Sequence, residues 1–202
     1  MVEVGEEAYR ILHPTSADAL IDEKDFESDE RLPYWAELWP SAIALARHLS
    51  REDLSGRRAI ELGCGVGLPS VVALARGAHV LATDHYDAAL DFTVHNARTN
   101  LGREPRTALL DWHAPQTGRL GTFDLLLAAD VLYERRSVVA LVDLAPRLLA
   151  PGGEALFADP RRKEAPLFLD LMAQRGFPTS THSVVVQQGN KEVKVLVHRL
   201  RR

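Results

Sequence analysis

The segment Glu61-Leu62-Gly63-Cys64-Gly65-Val66-Gly67 sets a carboxylate two residues ahead of three alternating glycines. Glycines at this spacing permit a tight turn and close approach of backbone to a ligand, and a helix beginning after them offers unpaired N–H donors. The dinucleotide pattern G-x-G-x-x-G needs a third glycine where this chain has Leu68. A carboxylate at Glu61 would repel a pyrophosphate and attract a ligand bearing ammonium and sulfonium charge. Both features favour S-adenosylmethionine over a nicotinamide dinucleotide, and so count against an NAD(P)-dependent oxidoreductase.

Four further places can do chemistry. Asp84 closes a strand beyond the glycines, where a carboxylate can accept from both hydroxyls of a ribose; its plainer role is a cap for the next helix. His85 follows it and is counted with the cofactor-binding residues, as is Cys64 in the loop. Asp111-Trp112 can meet an adenine, the carboxylate accepting from the exocyclic amine and the indole packing on the ring. Asp130 ends the apolar run Leu125–Ala129, and a carboxylate there is costly to bury unless paired, so it should face the cleft beside Ala129. Tyr133 lies close enough to return to the same mouth.

These residues need strands to carry them. Short apolar runs at Arg57–Leu62, His79–Thr83, Thr107–Leu110, Phe123–Ala129 and Glu154–Ala158 read as strands. They alternate with predicted helices from Ser41 (read as a cap) to Arg51, after Gly67 to Ala75, from an Asp87 cap to Asn100, and over Ser137–Leu149 and Ala165–Arg175. Ser183–Val186 and Val193–Val197 flank Gly189-Asn190, which signals an antiparallel hairpin. The pattern predicts an α/β, Rossmann-like, doubly wound and mostly parallel seven-stranded sheet ending in that hairpin. Its division is an acidic N-terminal segment, 1–32, and a catalytic domain, 33–202.

Trp39-Pro40 before a helix, the Glu61-to-Gly67 loop, Asp84, Asp111-Trp112 and Asp130-Val131-Leu132-Tyr133 together resemble the family-16 seven-strand S-adenosylmethionine-dependent methyltransferases, which include protein lysine methyltransferases. The resemblance implies that Glu61, Gly63 and Gly65 hold the methionine end of the cofactor, Asp84 its ribose, and Asp111 and Trp112 its adenine. It implies that Trp39 covers the cofactor and that Asp130 and Tyr133 border the acceptor nitrogen. Enzymes of the superfamily that methylate planar nitrogens resemble one another in carrying two prolines where this chain has Val131-Leu132, which argues against adenine or glutamine as acceptor. The expected reaction is methylation of lysine in a cytoplasmic protein; a small-molecule amine or a ribosomal component is the alternative acceptor. An aromatic wall of Tyr34, Trp35 and Trp39 would favour the methylated cation.

Composition narrows the partners. The 202 residues carry a net charge of −4 and one cysteine, which excludes an intrachain disulfide and gives no thiolate cluster for zinc. No apolar run reaches the ~20 residues of a membrane span. Residues 1–30 hold ten acids against Arg10 and Lys24, and the remainder is net positive by four, so a nucleic-acid partner is disfavoured. The acidic lead reads as a solvated segment, or as a lure for a basic partner. Only four lysines stand against 20 arginines, so an acceptor lysine would come from another molecule, with the enzyme a monomer. Selectivity is left to the lead segment, Pro33–Pro40, and the loops after Asp130 and Asp159-Pro160.

Overall fold

The computed structural model describes residues 1–15 and 33–201. Two short strands, Val2–Val4 (β1) and Glu7–Tyr9 (β2), pair antiparallel at the N-terminus. Pro40–Leu49 (α1) follows, then Arg58–Leu62 (β3), Leu68–Ala75 (α2), His79–Asp84 (β4), Asp87–Leu101 (α3) and Arg106–Leu109 (β5). Phe123–Ala129 (β6), Arg135–Leu148 (α4), Leu149–Asp159 (β7) and Ala165–Gln174 (α5) continue the alternation. Thr179–Gln188 (β8) and Lys191–Arg201 (β9) close it as a hairpin.

Seven strands form one sheet in the order β5-β4-β3-β6-β7-β9-β8. Pairings from β5 to β7 are parallel, and β9 joins β7 antiparallel. The chain reverses its direction of winding between β3 and β6, and that is where an open parallel sheet builds its ligand cleft. Each strand alternates between two cores. Ala59, Leu125 and Leu127 pack with α1 and α2 on one face, whereas Ile60, Leu62, Leu126 and Ala128 pack with α4 and α5 on the other. Burial on both faces explains why β6 is a nearly unbroken apolar run. The same alternation turns Glu61 towards α2.

Several boundaries differ from the sequence expectation. Pro40 occupies the first turn of α1 with Trp39 at the cap position, and Ser41 lies inside the helix, buried; proline suits that place because its fixed φ is helical and it lacks the N–H that would go unpaired. Tyr86, not Asp87, holds the cap of α3, and Asp87 sits in the first turn, where its charge suits the helix dipole. The strand expected at Thr107–Leu110 begins and ends one residue earlier. The hairpin strands are roughly twice the expected length: β8 is a sheet edge, exposed over most of its length with Val186 buried, so its sequence shows little alternation.

The described part of the acidic lead, residues 1–15, differs from a solvated tail. Val4, Tyr9 and Ile11 are buried in the core formed with α1 and α2. Two asparagines of α3 hold the chain beyond β2. Asn100 Oδ1 accepts from the Arg10 N–H while its amide donates to the Arg10 carbonyl, and Asn96 does the same for Leu12, all at 2.7–2.9 Å. Residues 16–32, which carry most of the acidic charge, lie outside the described residues. Among the described residues no helix is long and apolar enough to cross a membrane.

Candidate active site

The carboxyl ends of β3, β4 and β6 meet the segment before α1 around a cleft of about 1090 Å³, partly open to solvent. Trp39, Glu61, Gly63, Cys64, Gly65, Gly67, Asp84, His85, Asp111, Trp112, Ala129, Asp130 and Tyr133 all border it, so the topology brings together every residue that the sequence singled out.

The glycine loop is shaped by what presses on it. Gly63 has φ 69°, and a Cβ there would stand 3.0 Å from the Trp112 ring. Gly67 has φ 82°, and a Cβ would fall 2.5 Å from Thr93 Oγ1 on α3. Gly63 thus keeps space at the cleft, whereas Gly67 lets α3 pack against the loop. Thr93 Oγ1 also donates to the Gly65 carbonyl at 3.0 Å and lies 3.4 Å from Cys64 Sγ. Cys64 is buried, which pushes its thiol well above the usual range and makes it a packing residue rather than a nucleophile.

The two cofactor-side carboxylates are placed differently. Glu61 is 1% exposed. Ser70 Oγ of α2 donates to its Oε2 at 2.5 Å, while Oε1 is buried with no partner among the described residues. Burial pushes the Glu61 carboxyl up to about 8, against the smaller opposing pull of Ser70. Asp84 accepts from the Gly65 N–H at 2.9 Å and the Tyr86 N–H at 3.1 Å, and burial raises its pKa as well. Asp84 therefore ties the ends of β3 and β4 together while bordering the cleft. A buried carboxylate with a vacant oxygen suits a ligand that brings positive charge, so the residues present fit a cationic amino-acid group.

At the rim, Asp111 accepts from the His113 N–H at 2.9 Å, and His85 is exposed with its ring edge-on to Tyr86 at 5.1 Å. Tyr34 stands edge-on to both Tyr133 (5.6 Å) and Trp39 (6.2 Å), and the Trp39 Nε1–H donates to the Tyr34 carbonyl at 2.7 Å. Tyr34, Trp35 and Trp39 of the expected aromatic wall all border the cleft, and Tyr133 joins Tyr34 there. Trp35 also packs on Phe92 (5.6 Å) and Tyr86 (6.4 Å), which anchors the segment.

Asp130 is buried beside the cleft with φ 58°, a left-handed conformation uncommon for a residue with a side chain. Its Oδ1 accepts from Arg162 Nε at 2.8 Å, and its Oδ2 is buried without a partner among the described residues. Ser70 and Arg162 are the functional neighbours that sequence reasoning missed. Ser70 touches Glu61 only because α2 folds back over β3. Arg162 lies in the loop after Asp159-Pro160, already assigned to selectivity, but no spacing rule joins it to Asp130.

Residues 23–175 match the family model described as lysine methyltransferase. The chain is 29% identical over 175 residues to EEF1A lysine methyltransferase 3 of Mus musculus, a match covering 85% of this chain and 74% of that one. It is 33% identical over 151 residues to protein N-lysine methyltransferase METTL21A of Danio rerio, covering 68% and 67%. The fold is similar to that of the N-methyltransferase NodS from Bradyrhizobium japonicum WM9, solved with S-adenosyl-L-homocysteine, with a TM-score of 0.66 at 19% identity over 92% of this chain and 97% of that one.

Proposed function

The chain belongs to the lysine methyltransferase family, whose enzymes depend on S-adenosylmethionine, and from that premise we propose how its residues divide the work. The observation that carries the proposal is the buried Oε1 of Glu61, without a partner among the described residues, which would accept from the cofactor's ammonium group. Gly63 and Gly65 border the methionine end, with Cys64 and Gly67 holding the loop's shape. Asp84 keeps lone pairs for ribose hydroxyls beyond its backbone bonds. Asp111 and Trp112 receive the adenine, and Trp39, His85 and Ala129 complete the walls.

When bound, S-adenosylmethionine supplies an electrophilic methyl group, and transfer forms a carbon–nitrogen bond as the carbon–sulfur bond breaks to leave a neutral thioether. The protein's task is to present a neutral amine in line and to keep water from the path between nitrogen and methyl group. Asp130 orients the incoming lysine through Oδ2, and Tyr133 aligns it through its hydroxyl. Tyr34, Trp39 and Tyr133 give aromatic faces to the methylated ammonium. No side chain needs to act as a general base if the proton leaves to solvent.

The substrate is a protein supplied in trans, and we place the enzyme in the cytoplasm as a monomer, with residues 33–202 as the catalytic domain. Incubating a cell lysate with radiolabelled S-adenosylmethionine and the purified enzyme tests the reading. Label is expected in the protein fraction. Label confined to small molecules would move the acceptor to a free amine, and label in ribosomal particles alone would restrict it to that assembly.

A further inference from the structure

Among the described residues, two non-glycine positions have positive φ, Asp130 at 58° and Arg161 at 72°. The first is a member of an ion pair and the second adjoins its other member. Arg162 Nε meets Asp130 Oδ1 at 2.8 Å, and the guanidinium lies 5.9 Å from the centre of the Trp39 ring. The loop that carries Arg162 is pinned by Asp159, whose Oδ1 accepts from the backbone N–H groups of Arg161 (2.7 Å) and Arg162 (2.9 Å). Arg162 is thus held by a carboxylate, an aromatic face and its own loop. Strained backbone at two places around one contact is the pattern expected where geometry serves a site.

The charge of Asp130 creates a difficulty that this contact answers. A bare carboxylate beside the acceptor favours the ammonium form of lysine, whereas attack on a methyl group requires the neutral amine. We infer that Arg162 is a positioning residue that fixes Asp130 by one oxygen and offsets its charge towards the incoming amine, so that the amine gives up its proton to water near neutral pH. This rests on the lysine-methylation reading above. Oδ2 stays available to orient the nitrogen while the pair carries little net charge.

Other charged groups around Asp130 strengthen the case. Asp159, from the end of β7, is pushed up to about 6 by burial first and by Asp130 next, and above that pH it adds a second negative charge. Tyr34, ahead of α1, adds to the field at Arg162, which the Asp130 carboxylate pushes up. Glu61 of β3 and Tyr133, Glu134 and Arg136 of the following loop and helix share the cleft with Asp130. Without Arg162, Asp130 would lose its ion-pair partner and Asp159 the positive charge that opposes its upward shift.

The test uses the full-length enzyme and the protein that it labels in lysate, purified and supplied at saturation. The kcat profile is followed from about pH 6.5 to about pH 10, because kcat reports ionisations in the bound complex. In Arg162→Gln the midpoint of the rise should move up by about one pH unit, giving about a tenfold loss at pH 7 that largely recovers by about pH 10. Arg162→Lys should restore most of the wild-type profile, and both variants should bind S-adenosylhomocysteine as the wild type does. A Gln variant with an unchanged midpoint, or with an equal loss at every pH, overturns the inference. A wild-type enzyme that labels no lysine overturns the proposed function itself.

Discussion

Ser70 and Glu61 share a hydrogen bond, Oγ to Oε2 at 2.5 Å, that fixes the carboxylate while Oε1 stays buried with no partner among the described residues. If Glu61 binds the cofactor's ammonium group as proposed, the pair explains how one acid on the α2 face of β3 serves as a ligand instead of a liability in the core. Glu61→Ala should therefore weaken S-adenosylhomocysteine binding by about ten- to a hundredfold, the range of a charge-assisted hydrogen bond. Calorimetry measures this directly, and unchanged affinity would remove Glu61 from the site.

Burial holds Glu61 near 8, so the free enzyme at pH 7 carries it mostly protonated. A bound ammonium favours the carboxylate and lowers that value. Binding of S-adenosylhomocysteine at pH 7 should then release a proton, and affinity should rise between about pH 6 and pH 8. Repeating the titration in buffers of different ionisation enthalpy counts the protons; none released would contradict the assignment.

Gly67→Ala should destabilise the fold by about 2 kcal/mol or more, because a side chain there meets both a left-handed backbone and the Thr93 side chain. Thr93→Ala removes two of the three crowding atoms. The double variant should consequently lose less than the sum of the single losses in denaturant unfolding. Simple additivity would show that the crowding is not what excludes a side chain.

Asn96 is fully buried and serves two partners, its amide donating to both Leu12 O and Val66 O while its carbonyl accepts from the Leu12 N–H. It links the N-terminal strap to the cofactor loop. Asn96→Ala should cost about 2 kcal/mol and speed hydrogen exchange at Leu12, whereas Asn100→Ala, on a more exposed stretch, should cost less. Equal effects would show that the link to Val66 carries no weight.

Removing residues 1–12 should lower the melting temperature, since Val4 and Ile11 are buried and each such side chain contributes about 1.5–3 kcal/mol. An unaltered melting temperature in a thermal scan would restore the picture of a solvated lead.

The sequence made the strand–helix alternation legible because β3, β4 and β6 are short apolar runs between glycines and acids. The cleft was legible for the same reason: Glu61, Asp84 and Asp130 sit at strand ends, and a parallel sheet collects strand ends on one side. What stayed hidden depends on contacts across the fold. Arg162 reaches Asp130 only through the neighbouring positions of β6 and β7, and Ser70 reaches Glu61 only through helix packing. The N-terminal hairpin hid behind its charge, since Val4, Tyr9 and Ile11 are too few to show a period among so many acids.

Amino-acid analysis of the protein labelled from radioactive S-adenosylmethionine addresses the central claim most directly. The account predicts label recovered as N-methyllysine, and lost when Asp130 is replaced by alanine. Label recovered as methylhistidine or methylarginine, or equal lysine labelling by Asp130→Ala, would contradict it.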